Sequence, residues 1–187
     1  MIPSINECFA LMNKYDMLDN IKNHSIMVAK IAKLLGICLI KTGENICLEK
    51  VVSGALLHDI AKTECIGSKK DHSKIGMEIC LNEGLDEIAD IVGEHIVLNN
   101  FSLTGQLFEK ELVFYSDKRV LHDSIVSIDE RLKDLIIRYC NGNDFLEQLI
   151  ISNFKICKNV EEKLFKNLDF FPQDLFKIIK QKIINIE

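Results

Sequence analysis

Five histidines and the aspartates near them are the side chains of this chain best suited to metal binding or proton transfer. The histidines are His24, His58, His72, His95 and His122. Two of them are followed directly by aspartate, at His58-Asp59 and His122-Asp123. The first pair ends the apolar run VVSGALLHDIAK, where burying an imidazole and a carboxylate is costly unless they are paired or bind a metal. The second pair lies in KRVLHDSI, which predicts a polar, solvated helix end.

A cation completes the helix face around the first pair. Lys62 lies four residues after His58 and three after Asp59, so the three side chains share one side of a helix. Two interpretations follow. In one, the imidazole and the carboxylate bind a divalent metal such as Fe, Mn, Zn or Co, and Lys62 holds a phosphate oxygen. In the other, Asp59 and Lys62 form a salt bridge and His58 is a core residue.

Four further residues mark helix ends or interrupt apolar segments. His24 begins an amphipathic helix in KNHSIMVAKIA, and Asp117 interrupts the apolar run in LVFYSDKRV. His72 opens a helix in DHSKIGMEI, and His95 ends one in ADIVGEHIV. Each residue alone is explained as a cap or a core residue. The ordered set His, His-Asp, His, His, Asp indicates a shared site.

Helices must position these residues, because apolar residues recur at helical spacing along nearly the whole chain. Pro3 and Pro172 are the two prolines, and no segment shows the sustained alternation that strands require. Glycines such as Gly36 and Gly67 are expected at helix ends or in loops. The fold class is therefore predicted to be all-α. The predicted helices are 2–14, 18–36, 46–62, 71–83, 86–97, 109–121, 128–141, 144–168 and 172–185.

Composition and charge exclude several classes of protein. The 187-residue chain is 48% hydrophobic and 27% charged, which excludes a disordered polymer. Its formal charge of −5 argues against general nucleic-acid binding. Lys30 and Lys33 interrupt the longest apolar stretch, so we expect no membrane span. The first residues, MIPSINECF, have no basic residue before an apolar core, so we expect no export signal. The seven cysteines form no CxxC pair and are expected to be reduced and buried in a cytoplasmic protein.

The motifs around these residues resemble the HD-domain metal-dependent phosphohydrolases of the HDIG type, in their bimetal branch. His24, ALLHDIAK, DHSKIG, EHI and YSDKRV follow the order of the family's motifs over about residues 18–140. The resemblance implies an all-α helical bundle with a metal site between helices. Some bimetal members have a doubled histidine where this chain has His95-Ile96, and the GYP signature of the branch that cleaves cyclic di-GMP is absent. The implied ligands, with Asp59 bridging, are His24, His58, Asp59 and Asp117 for one ion and His72 and His95 for the second.

The same resemblance implies hydrolysis of a phosphate ester or anhydride of a small, nucleotide-like substrate through a metal-activated water. A metal lowers the pKa of bound water from about 16 to about 7 and neutralises charge on the phosphoryl group. Asp59 and Lys62 are the expected catalytic residues. Lys62, Lys69 and Arg119 are expected to bind the substrate. The cofactor would be two divalent ions, with Fe or Mn favoured and Mg, Co, Zn or Ni compatible.

Two other functions stay open at this point. A non-catalytic helical module would bind a nucleotide as a signal and act through a protein partner, and a di-iron HD site would catalyse an oxidation. Residues 1–142 are predicted to form the HD-domain core, and residues 143–187 a C-terminal helical extension of the same domain. The expected partner is a small phosphate-containing substrate, without a membrane, and a homodimer is compatible with the sequence.

Overall fold

A computed structural model describes residues 1–68, 70–181 and 184–186 of the chain. Helices dominate these residues, which confirms the all-α prediction. The helices are α1 (Ile5–Lys14), α2 (Asp19–Lys41), α3 (Leu48–Leu57), α4 (Lys62–Cys65), α5 (His72–Asn82), α6 (Asp86–Gly93), α7 (Glu109–Lys118), α8 (Ile128–Leu135), α9 (Asp144–Phe165) and α10 (Leu175–Gln181). A hairpin of β1 (Val120–Leu121) and β2 (Ser124–Ile125) follows α7. A π-helical turn (Ile136–Cys140) continues α8, and a 3-10 turn (Pro172–Asp174) precedes α10.

Helix α2 lies at the centre of the domain, where it packs against α3 and α7. Val28, Ala32 and Leu35 are fully buried on its inner face. By length and mean hydropathy (1.4) α2 could also cross a membrane, and 56% of that apolar window is buried inside the domain. A core helix has this same property, because neighbouring helices cover its apolar face.

Helix α3 is buried along almost its whole length and leads directly into the His58-Asp59 pair. All seven residues of 51–57 are buried, as the apolar run predicts. Gly54 allows α3 to approach α6, because a Cβ at this position would lie 2.6 Å from Ile91 Cγ2. The helix ends at Leu57 rather than at residue 62, so His58 and Asp59 lie in a turn just beyond the helix end.

Two other predicted boundaries differ from the structure for reasons of packing. α2 continues to Lys41 with Gly36 inside it, where a Cβ would lie 2.9 Å from Leu48 Cδ1. This glycine therefore permits close contact with α3 rather than ending a helix. α6 ends at Gly93 instead of residue 97, which leaves His95 in the following turn.

The predicted helix 109–121 ends at Lys118, and the β1–β2 hairpin follows it. Val120 pairs with Ile125 across the hairpin. His122 lies in the connecting turn with a φ of +57°, in a region that histidine enters more readily than most residues. The His122-Asp123 pair is exposed, as expected, but the prediction that it ends a helix is wrong.

Helix α9 packs against α7 and α8, and α10 packs against α2. Asn143 caps α9, since its side-chain oxygen accepts a hydrogen bond from the Leu146 amide. The predicted helix 172–185 is observed as the 3-10 turn and α10, and residues 182 and 183 lie outside the described residues. The division into a core at 1–142 and an extension at 143–187 stays a prediction.

Candidate metal centre

Five separate segments bring the predicted histidines and aspartates together. These segments are the second turn of α2, the turn after α3, the start of α5, the turn after α6 and the last turn of α7. Asp71 caps α5 by accepting from the Ser73 amide at 3.0 Å, which fixes His72 as the first helical residue. The six side chains in the cluster are His24, His58, Asp59, His72, His95 and Asp117.

Three of the four clustered histidines make the same hydrogen bond on the side of the ring away from the cluster. The Nδ1–carbonyl pairs are His24 with His122 (2.8 Å), His58 with Ala55 (2.7 Å) and His95 with Val92 (2.6 Å). A carbonyl oxygen can only accept, so Nδ1 carries the proton. In the neutral ring, Nε2 then presents its lone pair to the cluster, which is the arrangement of metal-binding histidines.

Asp59 lies between two pairs of histidines and offers one oxygen to each pair. Oδ1 is 3.1 Å from His72 Nε2 and 3.5 Å from His95 Nε2. Oδ2 is 3.4 Å from His58 Nε2 and 3.9 Å from His24 Nε2. A carboxylate in this position has the geometry to bridge two ions.

Asp117 completes the half of the cluster that holds His24 and His58. Its Oδ1 is 3.0 Å from His24 Nε2 and 3.6 Å from His58 Nε2. Its Oδ2 accepts a hydrogen bond from Lys118 Nζ at 3.1 Å. Lys118 is buried and also donates to the carbonyl oxygen of His95. One buried cation therefore orients both a carboxylate and the backbone of a histidine.

Both carboxylates of the cluster are ionised despite their burial. Burial alone would raise the pKa of Asp59, but His58 and Lys62 hold it well below its usual range. Burial likewise opposes ionisation of Asp117, but Lys118 and the neighbouring histidines hold its pKa well below its usual range. Two negative charges therefore face the histidine Nε2 atoms.

The two most deeply buried histidines of the cluster, His58 and His95, differ in protonation state. Burial favours the neutral form of His58, but Asp59 and Asp117 outweigh it and raise the pKa of His58 to about 9. At His95 burial dominates and lowers the pKa to about 4. The cluster without a metal therefore carries a proton on His58 at neutral pH, whereas His95 is neutral.

The residues present fit one or two divalent cations. There are two sets of three residues whose ligand atoms all lie within 4.8 Å of one another inside the set. They are His24, His58 and Asp59, and Asp59, His72 and His95, so Asp59 belongs to both. Atoms bound to one ion at about 2 Å lie roughly 3 to 3.5 Å apart, close to the separations measured here. His58 Nε2 and Asp59 Oδ1 are buried without a well-directed hydrogen bond to any described residue. A cation would bind Asp59 Oδ1 and, once its proton has left, His58 Nε2, and so would satisfy both buried atoms.

A cavity of about 530 Å³ opens onto the cluster. Asp59, His72, His95 and Asp117 line it, whereas His24 and His58 are buried outside its lining. Small-molecule sites commonly have volumes of about 300–1,000 Å³, so the cavity suits a ligand of nucleotide size. The lining residues from α8, the π-helical turn and α9 are Arg131, Leu135, Tyr139, Ile150, Asn153 and Phe154.

Lys62, a predicted cation, reaches both the cluster and the cavity. Its Nζ donates to Asp59 Oδ2 at 2.7 Å, so the salt bridge considered for the sequence is present. Its side chain is 34% exposed and lines the cavity, and an ammonium group has two further N–H donors for a ligand. Lys70 also lines the cavity and pairs with Glu64 at 3.2 Å, and Lys69 lies outside the described residues.

Arg119 is buried and does not line this cavity, and its expected role in substrate binding stays a prediction. Its Nε donates to the Val126 carbonyl at 2.7 Å, and its Nη2 to the Pro172 carbonyl at 3.0 Å. Its Nη1 donates to Tyr115 and lies 3.3 Å from the Glu161 carboxylate. The guanidinium therefore joins α7 to the hairpin, α9 and the 3-10 turn.

Two groups of site residues were missed by the sequence analysis. The carbonyls behind the histidines belong to residues whose side chains carry no signal for this role. Arg131 and Asn153 line the cavity, and Asn153 offered a signal because it interrupts the apolar run in QLIISNFKIC. A polar residue among apolar neighbours on a helix marks either a solvated position or a polar site in the interior.

Comparison with known families identifies the class of this protein. A family model described as HD domain matches residues 21–124, which is more than half of the chain. The chain therefore belongs to the HD-domain family. The bimetal branch implied by the sequence is compatible with this match and with the two ligand sets that share Asp59.

Two relatives are named tRNA (cytidine(56)-2'-O)-methyltransferases. The protein of Thermoplasma volcanium is 35% identical over 97 residues, which cover 51% of this chain and 27% of the relative. The protein of Picrophilus torridus is 28% identical over 184 residues, which cover 93% of this chain and 51% of the relative. This chain thus spans about half or less of these relatives.

A third relative is an uncharacterized protein of Methanocaldococcus jannaschii. It is 22% identical over 151 residues, which cover 74% of this chain and 88% of the relative. No solved structure matches the chain significantly.

Proposed function

We propose that this protein is a metal-dependent phosphohydrolase that cleaves a phosphate ester or anhydride of a small, nucleotide-like substrate. The observation that carries the proposal is the position of Asp59, with one oxygen toward His72 and His95 and the other toward His24 and His58. Membership of the HD-domain family supports metal-dependent hydrolysis as the class of reaction.

Six side chains of the cluster would bind the metal ions. His24, His58, Asp59 and Asp117 would hold one ion, and His72 and His95 with Asp59 a second. A divalent ion at such a site acts as a Lewis acid, lowers the pKa of water and neutralises phosphate charge. Fe or Mn suits this mixture of imidazole and carboxylate ligands.

Lys62 is placed to orient the phosphate group of a substrate. Its Nζ donates to Asp59 at the edge of the cavity, and its other N–H donors have no hydrogen-bond partner among the described residues. Lys70, on the same cavity, adds positive charge nearer to solvent. Together they would attract an anionic ligand to the exposed side of the cluster, where Asp117 and His72 line the cavity.

The names of two relatives favour a second candidate function, which is action on or beside RNA. Alignment with the Picrophilus torridus methyltransferase covers 93% of this chain, so nearly all of the domain has a counterpart in that protein. The formal charge of −5 predicts weak general binding to RNA. Filter binding with a tRNA transcript at low salt tests this candidate, and we expect no retention at micromolar protein concentrations. Tight, salt-dependent retention would favour the RNA function.

Phosphate release tests the proposed hydrolase function directly. The protein is reconstituted with Mn²⁺ or Fe²⁺ and supplied with a panel of nucleotides. We expect Asp59→Ala to abolish both metal retention and release of phosphate, because Asp59 touches both ligand sets. Asp123→Ala changes the aspartate of the other His-Asp pair, which is exposed on the hairpin. This variant should keep metal retention and phosphate release within a few-fold of the wild-type values. Full metal content and turnover in Asp59→Ala would refute the proposal.

A further inference from the structure

The cavity beside the metal centre has a second polar region that the proposed hydrolysis does not use. Arg131 on α8 and Asn153 on α9 line the cavity, and neither lies within the segment that matches the HD domain. Each carries a buried polar atom without a partner in the described part of the chain, Nε of Arg131 and Oδ1 of Asn153. An unpaired buried donor or acceptor is destabilising, so these two atoms are expected to meet a ligand or bound water.

One polar group of each of these two side chains is bonded within the protein. Arg131 is 9% exposed; its Nη1 donates to Asp134 at 2.9 Å, and its buried Nε–H meets no described partner. Asn153 donates its Nδ2 to the Ile96 carbonyl at 2.7 Å. Because a carbonyl accepts only, this bond orients the amide and leaves Oδ1 as a free acceptor. Each of these two cavity-lining residues therefore has one buried polar atom, a donor on Arg131 and an acceptor on Asn153, that no described residue pairs.

Apolar and aromatic side chains line the same cavity as Arg131 and Asn153. Leu135, Ile150 and Phe154 line the same cavity, and so does Tyr139 of the π-helical turn, which is 51% exposed. Flat apolar faces suit a planar ring, whose edge can supply the missing acceptor and donor. π-helical turns are uncommon and often lie at functional sites. A nucleobase has apolar faces and an edge with both kinds of hydrogen-bonding group.

We propose that α8, the π-helical turn and α9 form the specificity site of this protein, in which Arg131 Nε and Asn153 Oδ1 bind the edge of a nucleobase. This inference rests on the proposed function, because it places the phosphate of the same ligand near Lys62 and the metal centre. The volume of about 530 Å³ accommodates a single nucleotide. Residues beyond the matched HD segment would thus select the substrate, while residues within it carry the metal ligands.

Equilibrium binding to metal-free protein tests this site without relying on catalysis. Nucleoside 5′-monophosphates and inorganic phosphate are titrated into EDTA-treated protein by calorimetry, and the ratio of their dissociation constants is compared among variants. Asn153→Ala should lower the preference for at least one nucleotide over phosphate by roughly tenfold, the effect of one lost buried hydrogen bond. Lys155→Ala, on the exposed face of α9, is the matched control and should leave the ratio unchanged.

Two further variants separate recognition from a structural role of Asn153. Asn153→Asp keeps an acceptor oxygen but loses the donor to Ile96, and its negative charge weakens the binding of nucleotide and phosphate alike. It should therefore keep more of the preference for nucleotide over phosphate than Asn153→Ala. Arg131→Lys keeps the charge but removes the Nε–H, and should also lower the nucleotide preference. A wild-type protein that binds no nucleotide more tightly than phosphate, or an unchanged ratio in Asn153→Ala, overturns the inference. Selective nucleotide binding without phosphate release from any nucleotide would instead refute the hydrolase function and leave the binding site standing.

Discussion

Metal uptake by this protein should release a proton from His58 at neutral pH. In the metal-free cluster, Asp59 and Asp117 outweigh the effect of burial and raise the pKa of His58 to about 9. Its Nδ1 proton is held by the Ala55 carbonyl, so the proton that must leave is on Nε2, the atom that would bind the ion. A metal binds the neutral ring only, and uptake therefore displaces this proton.

The size of the effect follows from the pKa. At pH 7 about 1% of His58 is neutral, so deprotonation opposes metal binding by about 3 kcal/mol. Raising the pH from 7 to 8 increases the neutral fraction, and with it the apparent affinity, roughly tenfold. The gain diminishes as the pH approaches 9. Asp59 and Asp117 are already ionised and His95 is already neutral at pH 7, so they add nothing in this range.

Calorimetric titration with Mn²⁺ at pH 7 and pH 8 measures the apparent metal affinity and the release of protons. Buffers of different ionisation enthalpy give the number of protons released, which should include close to one from His58 at pH 7. His58→Gln lacks the titrating ring and should lose this contribution, whereas His122→Ala, on the hairpin, should retain it. Equal affinity at the two pH values with no proton release would refute the charge state assigned to His58.

Two substitutions test substrate binding and packing. Lys62→Ala should raise KM for a nucleotide about tenfold or more, since it removes a charge-assisted hydrogen bond to phosphate, and steady-state kinetics with Lys70→Ala as a milder comparison would show it. An unchanged KM would remove Lys62 from the substrate site. Gly54→Ala should lower the free energy of unfolding by about 1–3 kcal/mol, because the added Cβ would lie 2.6 Å from Ile91 Cγ2. Urea denaturation measures the free energy of unfolding. If Gly54→Ala is as stable as the wild-type protein, α6 moves away from the added Cβ without a cost in stability.

The ligand cluster could be predicted from the sequence because its residues stand out in their local contexts. His58 and Asp59 follow the wholly buried residues 51–57 of α3, and Asp117 interrupts another apolar segment. The order of these residues and of His24 and His72 along the chain carried the family resemblance. Helical periodicity located the segments that deliver them, although α3 and α6 end earlier than the pattern indicated.

The surroundings of the cluster could not be predicted, because they depend on contacts between distant segments. His24 is oriented by the carbonyl of His122, 98 residues away, in a turn whose positive φ leaves no periodic pattern. Arg119 was expected to bind substrate because it lies beside Asp117, but tertiary packing buries it against Glu161 and Tyr115. The cavity wall from α8 and α9 likewise arises only when α9 packs on α7 and α8.

The number of metal ions per chain tests the central claim most directly. Asp59 has one oxygen toward each histidine pair, so the wild-type protein reconstituted with excess Mn²⁺ or Fe²⁺ should hold two ions by elemental analysis. His72→Ala removes a ligand of one set only and should retain one ion, bound through His24, His58, Asp59 and Asp117. One ion in the wild-type protein, or unchanged metal content in His72→Ala, would contradict a two-metal centre bridged by Asp59.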